Sequence, residues 1–237
     1  MAISSWAATH VGAVRKHNED NFVNRTDLGV WAVADGAGGH QSGEIASAAI
    51  AEALNDLPPS LSAGEVLAEV RLRLESVHQS LSAEAARLGA QTMIVSTVVV
   101  LIIRDDYFAC LWAGDSRAYL LRDGELQQIT RDHSLVQQLV EAGAVRPEDA
   151  EQHPQANVIT RAVGVIGEAL ELEKVSGPLY PGDRFLLCSD GLSKTLTEQE
   201  VSSLLSAPAG VAIPDAMVAA TLERRGRDNV TAVVVGY

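Results

Sequence analysis

The sequence predicts an α+β protein in which antiparallel β-sheets pack against helices. Three observations lead to this fold class. Several β-branched apolar runs are separated by short turn segments, as in antiparallel hairpins. Amphipathic helical patterns lie between other runs. The chain has 237 residues, 47% hydrophobic and 21% charged, which is typical of a globular protein with a sizeable core.

The predicted strands are apolar runs rich in valine, isoleucine and aromatic residues. The segments R-D-D-Y at 104–107 and R-D-G-E at 122–125 have the composition of hairpin turns. Short turns of this kind favour antiparallel pairing. The predicted strands cover residues 29–34, 94–103, 107–113, 117–121, 184–188 and 230–235.

Helices are predicted between these strands. In the longest candidate, apolar side chains recur at helical spacing from Val66 through Val70 and Leu74 to Leu81. Thr197 followed three residues later by Glu200 forms a capping box at the start of another helix. The predicted helices cover residues 43–57, 62–88, 134–142, 198–205 and 214–224.

The segment 132–164 interrupts this pattern of strands and helices. It is polar and includes His133 and the dipeptide His153-Pro154. We interpret it as a mobile insertion near a functional site. No repeat or low-complexity linker divides the chain, so we expect one domain over residues 1–237.

Charge and cysteine content restrict the function classes. A formal net charge of −13 should repel nucleic acid and anionic membranes, and we expect neither as a partner. Cys110 and Cys188 lie inside apolar runs, which predicts buried thiols in a reducing compartment. No signal peptide is evident in the first ten residues, and the longest apolar segment is too short to span a bilayer. We therefore expect a cytoplasmic protein, and a monomer.

Five aspartates stand at the ends of predicted strands or apolar segments. Asp35, Asp115 and Asp190 follow such runs, whereas Asp20 and Asp228 precede them. A single aspartate at a strand end is a common turn residue. Five at one sheet edge would repel one another unless a cation lay between them or some were protonated.

The available ligands are oxygen atoms, which suit Mg²⁺, Mn²⁺ or Ca²⁺. The sequence has no H-E-x-x-H and no C-x-x-C, so a zinc site is disfavoured. Carboxylates around two divalent ions can support phosphoryl chemistry. Arg15, four residues before Glu19, could bind a phosphate with paired donors, although a solvated surface charge is the alternative interpretation.

Seven sequence blocks carry a family resemblance. They are V-G-A-V-R-K-H-N-E-D-N-F, V-A-D-G-A-G-G-H, A-G-D-S-R-A-Y, D-H-S-L-V-Q-Q-L-V-E-A-G, H-P-Q-A-N-V-I-T-R-A-V-G, L-C-S-D-G-L and R-D-N-V-T. In this order they resemble the metal-dependent protein serine/threonine phosphatases (the PPM, or protein phosphatase 2C, family), most closely its bacterial branch. The small size and the D-G-x-G-G-H form also resemble stand-alone phosphatases of type VI secretion clusters.

The resemblance implies a four-layer α-β-β-α sandwich of two antiparallel sheets, with Mn²⁺ or Mg²⁺ in a cleft at one end. Two ions are implied in the core site, and a third in some bacterial members. The segment 132–164 corresponds to the flap that influences substrate access. The resemblance implies that Asp35 bridges two metals, that Asp190 and Asp228 bind the first, and that the Gly36 carbonyl binds the second. It implies that Glu19 and Asp20 are ligands mainly through water, and that Asp115 with Asp190 binds the third metal. Arg15 is implied to bind the substrate phosphate.

Two positions depart from the family pattern. Eukaryotic relatives have a histidine, proposed as general acid, where this chain has Ala37. A metal-bound water and His40 are both candidates for the proton donor. Val95 replaces a glycine that relatives often show before Ser-Thr.

We interpret Gly38 and Gly39 as turn glycines or as points of close backbone approach. The remaining histidines have structural interpretations. His10, His17 and His78 are interpreted as surface or locally bonded residues, and His133 and His153 as flap structure.

The resulting hypothesis is a Mn²⁺- or Mg²⁺-dependent phosphatase acting on phosphoserine and phosphothreonine in proteins. Its expected partners are phosphorylated proteins, including a cognate serine/threonine kinase and that kinase's substrates. A metal-activated water would attack phosphorus directly, without a covalent phosphoenzyme. The sequence has no C-x₅-R segment, which excludes the usual cysteine-phosphatase route. Two alternatives remain: a phosphoprotein-binding module of the same fold with weak or no catalysis, and a metal hydrolase of small phosphate esters or nucleotides.

Overall fold

The computed structural model describes residues 3–38, 42–89, 91–208 and 212–237. Its strands in chain order are β1 (Ser4–His10), β2 (Asp20–Arg25), β3 (Val30–Ala37), β4 (Val95–Ser96), β5 (Val98–Arg104), β6 (Tyr107–Ala113), β7 (Arg117–Arg122), β8 (Glu125–Gln128), β9 (Glu173–Pro178), β10 (Arg184–Cys188) and β11 (Val230–Gly236). Its helices are α1 (Ser42–Asn55), α2 (Ala63–Leu88), α3 (Leu135–Glu141), α4 (Asp190–Ser193), α5 (Glu198–Leu205) and α6 (Ala212–Glu223), with a 3₁₀-helix at Pro147–Gln152.

The strands form two sheets in which every pairing is antiparallel. One sheet has the order β1-β11-β10-β7-β8. The other has the order β2-β3-β5-β6-β9, with β4 paired to β3. The two predicted hairpin turns are confirmed, because Asp105 and Asp123 adopt positive φ values of 53° and 52° between β5 and β6 and between β7 and β8.

Three apolar clusters separate four layers. Helices α1 and α2 cover the β2–β9 sheet, where Ile50, Leu54 and Leu74 pack with Val100. The second cluster lies between the two sheets, and the third lies under α5 and α6. The four-layer α-β-β-α architecture is therefore confirmed.

The central strands are apolar on both faces because each face meets a different core. In β5, Val98 and Val100 belong to the helix-facing cluster, whereas Val99 and Leu101 belong to the cluster between the sheets. This double burial explains the continuous apolar runs, which are more typical of parallel sheets. The aromatic share of 4% leaves aliphatic side chains to fill these cores.

Several elements differ from the sequence prediction. The single strand predicted over 94–103 is wrong: Thr97 separates β4 from β5. Strands β1, β2, β8 and β9 and the short helix α4 were not predicted. The burial pattern of β9 alternates between half-buried and exposed residues, and β8 behaves similarly, so neither edge strand has an apolar run to mark it.

The two buried cysteines and the Thr197–Glu200 capping box are confirmed. Among the helices that the structure describes, none is long and apolar enough to cross a membrane. Within 132–164, α3 and the 3₁₀-helix are followed by a single bridge from Val163 to Ser96, which connects this segment to the β2–β9 sheet.

Candidate metal centre and substrate cleft

A cleft of about 720 Å³ opens where β3, β6 and β10 end and where β2 and β11 begin. Arg15 lines this cleft together with six of the seven predicted metal ligands. The six are Glu19, Asp35, Gly36, Asp115, Asp190 and Asp228. Strand ends from both sheets therefore bring together residues that are up to 209 positions apart in sequence, from Glu19 to Asp228.

Asp20, the seventh predicted ligand, is buried and does not line the cleft. It pairs directly with Asp35 across β2 and β3. Its Oδ2 accepts hydrogen bonds of 2.7 Å from the hydroxyls of Ser189 and Thr231, whereas Oδ1 has no hydrogen-bond partner among the described residues. Burial is the main cause that raises the pKa of Asp20 to about 7. The two hydroxyls lower the pKa and the neighbouring Asp190 raises it further.

Asp35 lies within β3, so the prediction that the strand ends at this residue is wrong. Its N–H donates to Thr97 Oγ1 at 3.2 Å, and its carbonyl accepts from the Thr97 N–H at 2.9 Å. The break between β4 and β5 thus fixes the backbone of Asp35. Burial and repulsion from Asp20 raise the pKa of Asp35 well above its ordinary value.

Gly36 is required by packing. A Cβ at this position would lie 2.0 Å from the carbonyl oxygen of Gly43 at the start of α1. The Gly36 N–H donates to the carbonyl of Glu19 at 3.1 Å. This contact joins the segment that precedes β2 to the strand that carries Asp35. The role of the Gly36 carbonyl as a metal ligand stays a prediction.

Lys194, which the sequence analysis did not select, is paired with two cleft carboxylates. Its Nζ lies 2.6 Å from Asp190 Oδ2, 3.1 Å from Asp115 Oδ2 and 3.0 Å from Asn157 Oδ1. Burial and repulsion from Asp115 raise the pKa of Asp190, while Lys194 opposes that rise. Only its position four residues after Asp190, one helical turn away, could have indicated this lysine from sequence.

Arg15 contacts Asp228, with 2.8 Å between Nη2 and Oδ2. Both side chains are partly exposed, at 52% and 40%. The predicted phosphate-binding residue is therefore inside the cleft and already opposite a carboxylate. An exposed pair of this kind contributes little stability, which leaves Arg15 able to exchange partners.

Asn229 fixes the loop that carries Arg15 and Glu19. Its Oδ1 accepts from the Glu19 N–H, and its Nδ2 donates to the carbonyls of Val11 and His17, all at 2.9 Å. The side chain is 4% exposed. This function of Asn229 was not predicted from the sequence. The available signal was an amide residue placed between Asp228 and a fully buried strand.

No histidine of the described residues lines the cleft, and Ala37 does. His40 and Gly39, which figured in the sequence analysis, lie outside the described residues. His78 is buried, which makes the surface interpretation wrong; its Nδ1 accepts from the Gly164 N–H at 3.0 Å. His133 accepts from the Gly114 N–H at 3.1 Å and stacks on Trp112, so it connects segment 132–164 to the residue before Asp115.

The donor set fits hydrated hard cations. It consists of carboxylate and carbonyl oxygens, one of which, Asp20 Oδ1, is buried and accepts no hydrogen bond from the residues that the structure describes. Within the described ranges, no three acidic, histidine or cysteine side chains converge closely enough to hold an ion by themselves. Water would complete the coordination, as it commonly does around Mg²⁺. The expectation that Glu19 and Asp20 act mainly through water stays a prediction.

A protein-family model described as "Protein phosphatase 2C" matches residues 10–223. The chain belongs to the protein phosphatase 2C family. The fold and the family that the sequence blocks implied are both confirmed.

Individual relatives of this 2C-family chain cover most of its length. It is 35% identical over 223 residues to the serine/threonine protein phosphatase PstP of Mycobacterium tuberculosis, covering 94% of this chain and 43% of that relative. The chain thus spans less than half the length of this curated relative.

Two solved structures share the 2C-family fold. PppA, described as a key regulatory component of T6SS in Pseudomonas aeruginosa, is 42% identical with a TM-score of 0.91, covering 100% of this chain and 98% of that one. The catalytic domain of PstP in complex with two manganese ions is 32% identical with a TM-score of 0.88, covering 99% and 97%.

Proposed function

We propose that this chain is a metal-dependent phosphatase that hydrolyses phosphoserine and phosphothreonine in proteins. The observation that supports this most directly is the cleft itself. It brings five acidic residues at or near strand ends together with the partly exposed Arg15. Membership of the protein phosphatase 2C family and the manganese-containing relative support the same reaction class.

The proposed ligands divide into those that bind the first ion, those that bind the second ion and those that act through water. Asp35, whose backbone is held by Thr97, is the proposed bridge between two ions. Asp190 and Asp228 would hold the first ion and the Gly36 carbonyl the second, while Glu19 and Asp20 would act through water. When bound, Mn²⁺ or Mg²⁺ supplies a nucleophilic water and neutralises the charge that develops on the phosphate.

Arg15 is the proposed phosphate-binding residue. Its guanidinium faces the cleft and can give up its hydrogen bond to Asp228 when a phosphate arrives. A planar guanidinium offers two parallel donors to a phosphate, which a lysine cannot do. Arg15 would thereby orient the phosphoester and stabilise its equatorial oxygens.

The proposed substrates are phosphorylated proteins, including a cognate serine/threonine kinase and the proteins that this kinase modifies. The relative PppA, with its stated part in T6SS, makes a secretion-associated kinase the first candidate. A cytoplasmic location is part of the proposal and is supported by two buried, unpaired cysteines. Phosphoproteomics after deletion of the gene would identify the substrates as phosphosites that become more occupied.

The activity is tested by stripping the protein with EDTA and assaying a phosphothreonine peptide with and without Mn²⁺. We expect turnover only with the metal, and loss of turnover in Asp35→Asn. Asp56→Asn, at an exposed position, makes the same charge change and should behave like wild type. Peptide binding without turnover would instead indicate a phosphoprotein-binding module. Faster turnover of nucleotides than of phosphopeptides would indicate a small-ester hydrolase.

A further inference from the structure

The Lys194 ammonium is fully coordinated by the protein. An ammonium has three N–H donors, and Lys194 has three acceptors within hydrogen-bond distance. The acceptors are Asp190 Oδ2 at 2.6 Å, Asn157 Oδ1 at 3.0 Å and Asp115 Oδ2 at 3.1 Å. Two of these are the carboxylates that the family resemblance assigned to a third divalent ion.

The backbone fixes the lysine in this position. The Lys194 N–H donates to the Asp190 carbonyl at 2.8 Å, one turn along α4. The two side chains therefore leave the same helical face, and the four-carbon stem of Lys194 lies mostly out of solvent, with 26% of the side chain exposed. A surface lysine with free rotamers would not be held in this way.

Asp115 has no other cationic partner among the described residues. It is 5% exposed, and the ion pair that the structure gives it is the one with Lys194. A divalent ion bound between Asp115 and Asp190 would need both carboxylates at about 2.0–2.6 Å. The ammonium already occupies the space between their Oδ2 atoms, and its charge would repel the ion. A third ion therefore does not fit this pair while Lys194 is present.

We propose that Lys194 is a built-in cation that takes the place of a third divalent ion and limits this centre to two. The inference rests on the proposed binuclear centre. It concerns the Asp115–Asp190 pair, and the ligands of the two core ions other than Asp190 are not affected by it.

The test counts bound manganese in the full chain and does not use activity. EDTA-stripped wild type, Lys194→Met and Lys174→Met are equilibrated with increasing free Mn²⁺, and bound metal is measured by equilibrium dialysis with elemental analysis. Lys174 is exposed on β9, so its replacement makes the same charge change away from the cleft. Any extra nonspecific binding caused by the more negative charge would appear equally in this control.

We expect two ions per chain in wild type and in Lys174→Met. Lys194→Met should bind a third ion, with a dissociation constant at least about tenfold larger than those of the first two ions. Three ions in wild type would overturn the inference whether or not the variant folds. A Lys194→Met protein that saturates at two would overturn it as well. Wild type that binds no manganese would instead overturn the proposed centre as a whole.

Discussion

Replacing Asp20 by asparagine should stabilise the metal-free protein, and the gain should increase with pH. Asp20 is buried, faces Asp35 across β2 and β3, and has one carboxylate oxygen without a hydrogen bond among the described residues. Its pKa is raised to about 7, first of all by burial. At pH 8 the native protein must therefore keep a charge that its surroundings disfavour. Asparagine removes that charge and keeps an oxygen for the Ser189 and Thr231 hydroxyls.

The magnitude follows from the pKa difference. Between the ordinary value of 3.8 and about 7, the native state holds a proton that the unfolded state has lost, so stability falls as pH rises. Above about pH 7 this contribution is constant. At about 1.4 kcal/mol per pKa unit, the full loss is about 4 kcal/mol, of which about 3 kcal/mol falls between pH 5 and pH 8. The new amide leaves an N–H group where Oδ1 had no partner, which costs about 1–3 kcal/mol at every pH.

Urea unfolding in EDTA at pH 5, 6, 7 and 8 measures this effect for wild type, Asp20→Asn and the exposed control Asp56→Asn. The difference in unfolding free energy between Asp20→Asn and wild type should grow by about 3 kcal/mol from pH 5 to pH 8. The control should show no comparable trend. Parallel pH profiles for wild type and Asp20→Asn would refute the reasoning, because Asp20 would then titrate alike in the folded and unfolded protein.

Three further predictions concern two residues that line the cleft, Asp35 and Arg15, and Asn229, which holds the loop carrying Arg15. Asp35→Asn should lower phosphopeptide turnover by at least about 100-fold and weaken Mn²⁺ binding in calorimetry; near-normal values of both would exclude the bridging role. Arg15→Lys keeps the charge but loses the paired donors, so KM for a phosphothreonine peptide should rise about tenfold. An unchanged KM would show that Arg15 does not bind the phosphate. Asn229→Ala removes three hydrogen bonds, so the free energy of unfolding should fall by about 2–4 kcal/mol. KM should rise as well, because Arg15 and Glu19 lose their fixed positions. Urea unfolding and peptide kinetics measure the two effects, and a loss of stability without a change in KM would show that Asn229 has a purely structural role.

The position of the cleft could be predicted because strand ends are visible in sequence. Asp115 and Asp190 each follow a buried apolar strand within two residues, and Asp228 precedes one by a similar distance. In an antiparallel sheet, the C-terminal end of one strand lies beside the N-terminal end of its neighbour, so aspartates that follow some strands and precede others can meet at one edge. Five aspartates with this placement therefore indicate a common site even before any family resemblance is considered.

Other parts of the site could not be predicted, because they depend on contacts distant in sequence. Asn229 holds the loop carrying Glu19 across 210 positions, and Lys194 reaches Asp115 across 79. No local period or turn composition marks such contacts. The depth of Asp20 is a similar case, since its burial depends on Ser189 and Thr231 from the other sheet.

The strands missed by the sequence analysis have a common physical cause. Burial on both faces makes the central strands easy to recognise, whereas the missed strands lie at sheet edges and are only partly buried; they are β1, β2, β8 and β9. The opposite error occurred at Thr97. An uninterrupted apolar run hides the break between β4 and β5, and the break is explained only by the hydrogen bonds that Thr97 makes with Asp35.

Arg15 and Lys194, which both pair with carboxylates of the cleft, differ in how firmly they are held, and this difference predicts different functions. Arg15 has one carboxylate partner and is 52% exposed, so leaving Asp228 costs little free energy when a phosphate offers two acceptors. Lys194 has three acceptors, and 26% of its side chain is exposed, so moving it would leave Asp115 buried without a counter-charge. We therefore expect an arriving phosphate to draw Arg15 away from Asp228 and to leave Lys194 in place. Under the proposed function, the same clustering of carboxylates would leave one cation free to bind substrate and keep the other as a fixed part of the centre.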